Sequence, residues 1–398
     1  MQDHDHVPLR RRTDDVPAAP LRVVLLAPAT SAHTRRWADD LAVRGHQVTV
    51  CSWHEPGLSP DGWRAASAPT GGRRPLRVLR AGHWLRHEVR GARPDVIHVH
   101  SLGAHGALSL LLPARPTVPL LVTPWGSELR AADRHPGRAL VARLALRRAV
   151  RVVPTSREVA ELVATRYRVR RSRITVLSWG VPDVLLDAGH DADPRLTRAK
   201  YGIPAEATVA LSVRSTSEVY RTHEILTAFS RAARVRPDLF LLLVAGHQPV
   251  HAAARHAQQE YLGLVRAWAQ DLSGQVALVD QPLGQAEMFS LMRASDVAIS
   301  VPRSDQRSSS VLEAAAAGCR LLLSDIAPYR ELLADGLLAD LLPDPLVSTL
   351  ADALSGTGPL DAADRLANNQ LIGQTERGSL KIAELERLYR EVARAGAM

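Results

Sequence analysis

Lysine, cysteine and aromatic residues are all scarce in this chain, and the scarcity of the last two removes classes of function. Only two of its 50 Lys and Arg residues are lysine, Lys200 and Lys381. With so much Ala and Leu, that skew reflects genome composition. The two cysteines, Cys51 and Cys319, stand far apart in or beside apolar stretches. They offer no disulfide framework and no zinc spacing, and read as buried free thiols of a reducing cytoplasm. Aromatics make up 4% of the chain, and no stacking motif is interleaved with the arginines, so nucleic acid is set aside as a partner. No apolar run approaches the length needed to span a bilayer. Residues 1–20 lack the apolar core of a secretory signal and read as a disordered polar tail. No metal-ligand cluster is evident, so no metal is expected. No G-x-G-x-x-G turn follows the first apolar run, which argues against tight dinucleotide binding and so against a Rossmann-type oxidoreductase or epimerase.

What is present is a chain of 398 residues, 46% hydrophobic, long enough for two domains. Its formal charge is +9, and the excess is concentrated in the first half. Residues 73–93 hold seven arginines against Glu88, and residues 134–173 hold twelve against Glu158 and Glu161. Such stretches are either solvated helix faces or a surface for anions, namely a phosphorylated acceptor or the anionic inner face of a membrane.

Short apolar runs alternate with helical segments along most of the chain. Strands are expected at Leu21–Ala27, Gln47–Ser52, Pro94–His100, Pro119–Thr123, Arg151–Ser156 and Ile174–Ser178. Between them fall a helix from Thr34 to Ala42 ended by Gly45, a loop over 54–75, a basic helix near 76–90 and further helices near 137–149 and 158–165. Residues 183–205 read as a connector. The alternation then restarts, with strands near 207–213, 239–245, 275–279, 296–301 and 320–324. A helix is expected over 373–396, with Leu380, Ile382, Leu385, Leu388 and Val392 near one stripe. The expected organisation is α/β: a first Rossmann-like domain over 21–182, a second over 206–372, and a terminal helix from 373 packing back toward the first. The two doubly wound domains would face each other across a cleft.

One stretch stands out. Residues 301–318 read VPRSDQRSSSVLEAAAAG, a polar loop between an apolar run and an alanine-rich helix. Asp305 and Glu313 are separated by seven residues, with Ser308, Ser309 and Ser310 between them. A helix N-terminus in this setting offers backbone N–H groups to an anion, and the carboxylates could take hydroxyls. Ser310-Val311-Leu312-Glu313 also fits a capping box, in which Glu313 serves only its own helix.

In order, Arg214, Tyr220-Arg221, Leu242-Leu243-Val244-Ala245-Gly246, the Asp305-x7-Glu313 stretch and Pro328-Tyr329-Arg330-Glu331 resemble the C-terminal domain of retaining glycosyltransferases of the GT-B fold, family 4. In the first half, Val24 to Val50, with His33-Thr34-Arg35-Arg36-Trp37 and Arg44-Gly45-His46, is similar to the opening βαβ of that family, and Pro94 to His100 with the Gly126-Ser127-Glu128 turn is similar to its acceptor side. The resemblance spans roughly residues 20–395. It implies that Arg214 and Arg221 grip the donor diphosphate and that Asp305 binds the transferred sugar. It gives Glu313 the ribose, the Ser308–Ser310 backbone the phosphate, and Gly246 a place on the donor side. His33, His100, Trp125 and Glu128 would belong to the acceptor side, with Trp125 standing where relatives carry histidine. The resemblance further implies a nucleotide-diphosphate sugar, UDP- or GDP-linked, as donor, with no cofactor. The acceptor would be a glycan, a lipid-linked intermediate or a small molecule. A cytoplasmic protein, in peripheral contact with the inner membrane face through its basic first domain, fits this reading. The alternative is a catalytically idle nucleotide-sugar-binding protein, suggested by Trp125 and by Asp305 where glutamate is common.

Overall fold

A computed structural model describes residues 19–53, 61–69, 74–113, 118–132, 135–187, 193–246, 252–272 and 274–397. All but the last two residues of the expected tail lie outside this set, as do residues 54–60 and 70–73 of the expected loop.

The first domain runs β1 (Arg22–Leu26), α1 (Ala32–Val43), β2 (Gln47–Ser52), β3 (Arg64–Ser67), α2 (Arg74–Ala92), β4 (Val96–His100), α3 (Ala104–Ser109), β5 (Leu120–Thr123), α4 (Ser127–Ala131), α5 (Pro136–Arg148), β6 (Arg151–Val152) and α6 (Arg157–Arg166). Two short helices, α7 (Asp183–Leu186) and α8 (Pro194–Lys200), connect it to the second domain. That domain runs β7 (Thr208–Ser215), α9 (Thr222–Ala233), β8 (Leu239–Val244), α10 (Ala252–Gln270), β9 (Val276–Val279), α11 (Gln285–Arg293), β10 (Val297–Ser300), α12 (Ser309–Ala317), β11 (Arg320–Ser324), α13 (Ala327–Ala334), β12 (Asp340–Leu342), α14 (Leu346–Gly356) and α15 (Ala362–Thr375). The last helix is α16 (Gly378–Ala397).

Both sheets are parallel and six-stranded, ordered β3-β2-β1-β4-β5-β6 and β12-β11-β10-β7-β8-β9. The second order is the first repeated in its own strand numbers, so each domain is doubly wound. Such strands have both faces covered and read as unbroken apolar runs. β8, Leu-Phe-Leu-Leu-Leu-Val, is buried at every position. In each sheet the order reverses beside the first strand, between β1 and β4 and between β7 and β10. In doubly wound folds ligands bind outside the carboxyl ends of the strands at that reversal.

The chain crosses between the domains twice, and the two crossings touch. The Val181 N–H donates to the Glu376 carbonyl at 2.6 Å, and the Gly378 N–H donates to the Val181 carbonyl at 2.7 Å. Gly180 has φ +74°, and a Cβ there would lie 3.0 Å from the Glu376 carbonyl oxygen and 3.2 Å from Gly378 Cα. Only glycine permits this approach.

After the second crossing α16 enters the core of the first domain. Ile382, Leu385, Leu388, Tyr389 and Val392 pack with Leu25, Trp37 and Val48. Each such burial is worth roughly 1.5–3 kcal/mol, ample to hold the helix there. Leu380, expected on the same stripe, is instead exposed. The helix begins at 378 rather than 373, because the Val181–Arg377 bridge interrupts it and residues up to Thr375 belong to α15.

Two edge strands were not expected. β3 lies inside the stretch read as a loop, and β12 follows the last expected strand. Both are short and only partly buried. Conversely, Ile174–Ser178 is not a strand. It makes one bridge, between Ile174 and Val152, and then runs into the first crossing. Cys51 and Cys319 are buried and free, and burial pushes both thiols up to about 12. Among the described residues no helix is long and apolar enough to cross a membrane.

Candidate functional site at the interdomain cleft

The polar stretch after β10 follows the second sheet's reversal point. Helix α12 starts there because Ser-Ser-Val-Leu-Glu-Ala-Ala-Ala-Ala has strong helix propensity and few competing side chains. It stops at Gly318, whose φ of +91° is the left-handed conformation of a helix C-terminus. Ser308 is the N-cap residue, but its side chain makes no cap hydrogen bond. Its Oγ instead accepts from the Arg214 guanidinium at 2.7 Å. Glu313 lies well inside the helix, past the first turn, so the capping-box reading is corrected. Its Oε1 accepts from the Gln285 amide at 3.1 Å rather than from its own helix start.

Arg214 sits on β7, next to the reversal. Its guanidinium also donates to the Tyr220 hydroxyl at 2.8 Å and stands 3.4 Å from Asp305 Oδ2. Burial works against its charge, but Asp305, Tyr220 and Tyr329 outweigh burial and hold it above its ordinary value. Asp305 is fixed on several sides. Its Oδ2 accepts from the Tyr329 hydroxyl at 2.9 Å, and its Oδ1 accepts from the Gln306 N–H at 2.9 Å. The buried Tyr329 hydroxyl is itself bonded to Ser300 Oγ at 2.8 Å. This chain of bonds orients the carboxylate.

A cavity of about 230 Å³ opens between the domains beside this network. The second domain lines it with Gly246, Ser309, Ser310 and Glu313, and the first with His33 and Arg36. Gly246 has φ +78°, and a Cβ there would fall 2.1 Å from Ser215 Oγ. Glycine is therefore required where the backbone passes Ser215 at the cavity. Burial raises the Glu313 carboxyl above its ordinary value, against the pull of Arg36, Gln285 and Arg214. His33 stacks on Trp179 with ring centroids 4.8 Å apart. Burial, then Arg36 and Arg214, lower it to about 3, so it faces the cavity as a neutral imidazole.

The remaining expected site residues are placed elsewhere. Arg221 has φ +58° at the start of α9 and is almost fully buried. That left-handed turn sends its guanidinium to Glu224 at 2.5 Å and Asp344 at 2.8 Å, and it does not line the cavity. His100 ends β4 and is fully buried against Trp37, His98 and Trp179. Trp125 meets Trp179 edge-on at 6.2 Å. Glu128 uses Oε1 to accept from the N–H groups of Trp125 at 2.7 Å and Leu102 at 3.0 Å. It ties two loops of the first domain together, and neither it, Trp125 nor His100 lines the cavity. Conversely, Arg36, Gln285, Ser215 and Tyr329 were not assigned roles from the sequence. For Arg36 a signal existed: His33, Arg36 and Asp40 form a polar stripe beside the buried stripe of Thr34, Trp37, Ala38 and Leu41.

Residues 30–184 match the sequence profile described as Glycosyltransferase Family 4. Sucrose-phosphate synthase from Thermosynechococcus elongatus superposes with a TM-score of 0.77 at 17% identity, over 94% of this chain and 99% of that one. Anabaena HepE, in complex with UDP and glucose, superposes with a TM-score of 0.71 at 16% identity, over 93% of this chain and 100% of that one. The chain has the GT-B glycosyltransferase fold. A trehalose-phosphate synthase from Burkholderia xenovorans, in complex with glucose-6-phosphate, shares this GT-B architecture with a TM-score of 0.70 at 15% identity, over 93% and 100% of the two chains. No curated protein matches the chain by sequence.

Proposed function

We propose that the protein is a retaining glycosyltransferase that moves a sugar from a UDP- or GDP-linked donor to an acceptor hydroxyl. One observation carries this reading. Arg214, the N-terminus of α12 and the buried Glu313 meet at the reversal point of the second sheet, opposite His33 and Arg36 of the first domain. The profile match in the first domain and the UDP held by HepE support it.

In this reading the diphosphate rests on the N–H groups that open α12. Glu313 accepts from a ribose hydroxyl, and Asp305 accepts from hydroxyls of the transferred sugar. As the bond from the sugar's anomeric carbon to the phosphate oxygen breaks, negative charge grows on the leaving phosphate. Arg214, already oriented by Ser308, Tyr220 and Asp305, stabilises that charge without reorganising. The acceptor oxygen bonds to the anomeric carbon on the same face, and its proton passes to the leaving phosphate. Thermal shift against UDP-, GDP-, ADP- and TDP-sugars, followed by turnover with the stabilising donor, tests this. A chain stabilised by no nucleotide sugar would overturn it.

A second reading, an idle nucleotide-sugar-binding protein, draws on Arg221, since one of the two expected phosphate-gripping cations is committed to Glu224 and Asp344. Donor binding without transfer or hydrolysis would decide for it.

The acceptor reading includes a peripheral contact with an anionic membrane. Leu76, Val78 and Leu79 are exposed at one end of α2, and Arg80, Arg86 and Arg90 follow as exposed residues of the same helix. On an anionic surface the apolar end of this helix would enter the interface and its arginines would meet the headgroups. Co-sedimentation with anionic liposomes at low salt tests it, and absence of binding there would remove it.

A further inference from the structure

The donor reading needs cations around a diphosphate, and Arg221 is not at the cavity. Arg36 is. It comes from α1 of the opposite domain and lines the same cavity as Glu313, Ser309 and Ser310. Its Nη1 stands 4.0 Å from Glu313 Oε1, too far for a hydrogen bond. Its Nη2 donates to the Trp179 and Gly180 carbonyls, the latter at 2.9 Å, on the first interdomain crossing. Its Nε is buried with no hydrogen-bond partner. Arg36 is thus a buried cation, loosely paired, that touches both the donor cavity and the first interdomain crossing.

We propose that Arg36 is a donor-binding residue supplied across the cleft, pairing with the diphosphate of the nucleotide and so coupling donor binding to the position of the interdomain crossing. The inference rests on the glycosyltransferase reading and takes the place that Arg221 leaves empty. Burial holds Arg36 below its ordinary value and Glu313 above its own, as expected of two charges that only partly compensate each other. A dianionic diphosphate would supply the missing compensation. A residue that only braced the crossing would not distinguish phosphate from no phosphate.

The test compares nucleoside diphosphate with nucleoside. Calorimetry would measure UDP and GDP against uridine and guanosine for wild type, Arg36→Gln, Arg36→Lys and Arg214→Ala. Arg36→Gln is expected to weaken the diphosphate at least tenfold and leave the nucleoside within twofold. Arg36→Lys should restore part of the loss, and Arg214→Ala should show the same selective loss. An Arg36→Gln variant that binds diphosphate like wild type overturns the inference. So does one that loses nucleoside and diphosphate equally, or one that Arg36→Lys does not rescue at all. Wild type that binds no nucleoside diphosphate overturns the inference together with the glycosyltransferase reading. Selective loss in Arg214→Ala alone leaves that reading standing and removes Arg36.

Discussion

The Glu331 carboxylate accepts hydrogen bonds from the backbone N–H groups of Arg157 and Glu158, at 2.9 and 2.7 Å. Glu331 is on α13 of the second domain, and the two N–H groups open α6 of the first. One domain therefore caps a helix of the other. Such a cap is worth about 0.5–2 kcal/mol, with a further contribution from the helix dipole. Two residues earlier on α13, Tyr329 holds Asp305. Glu331→Ala is predicted to raise the donor KM several-fold and to enlarge the radius of gyration in scattering, with Glu331→Gln between it and wild type. Unchanged scattering and KM in the alanine variant would show that the contact does not hold the domains together.

Asp305→Asn and Arg214→Ala are predicted to lower turnover about a hundredfold while leaving the fold intact, each costing on the order of 3 kcal/mol of barrier. Tyr329→Phe removes one bond to a charged group and should cost about 1.5–3 kcal/mol, seen mainly in kcat. Circular dichroism with steady-state kinetics checks all three. Turnover within about threefold of wild type in either of the first two would remove that residue from the mechanism.

Gly246→Ala places a methyl group onto Ser215 at a backbone angle that side chains rarely adopt. The backbone term alone is about 1–2 kcal/mol. The substitution should lower the melting temperature and weaken donor binding together. Adding Ser215→Gly relieves the clash but not the angle, so the double variant should recover part of each. No recovery would show that Ser215 is not the obstacle.

Acid should unfold this protein early. Burial lowers His98 to about 3, His105 to about 4 and His100 well below its ordinary value. The folded state keeps these rings neutral, while the unfolded chain takes up protons below about 6.5. Stability is therefore full above that pH and is lost as pH falls toward the folded values. Each fully buried ring contributes about 1.4 kcal/mol per pH unit in that window. Denaturant titrations from pH 7.5 to 5 should show a steep loss, and a flat profile would contradict the burial of these rings as neutral groups.

The doubly wound fold was legible because its strands are buried on both faces, so runs such as Leu239–Val244 are apolar without interruption. Edge strands lack that signal: β3 is Arg-Ala-Ala-Ser and β12 only Asp-Leu-Leu. Ile174–Ser178 had the apolar character of a strand, yet the chain turns there into the crossing between domains. The 301–318 stretch was recognisable from Asp305, Glu313 and the serines, which lie close in sequence. Arg36 and Gln285 reach Glu313 from other helices, Arg36 from the other domain, so no local pattern joins them. The pairing of Arg221 with Glu224 and Asp344 was not legible because its sequence neighbours do not disclose a left-handed backbone angle.

Helix α16 gives the chain an order of completion. The first domain's core includes Leu385, Leu388, Tyr389 and Val392, and the Tyr389 hydroxyl bonds to His98 Nδ1 at 2.7 Å. During synthesis from the N-terminus, the first sheet emerges long before these residues exist. Until they arrive, Leu25, Trp37 and His98 face an open groove. The second domain can bury its own two cores before the first is finished. Helix α16, which leaves the ribosome after both sheets, thus closes the first domain, and a chain truncated after residue 375 would display that groove permanently.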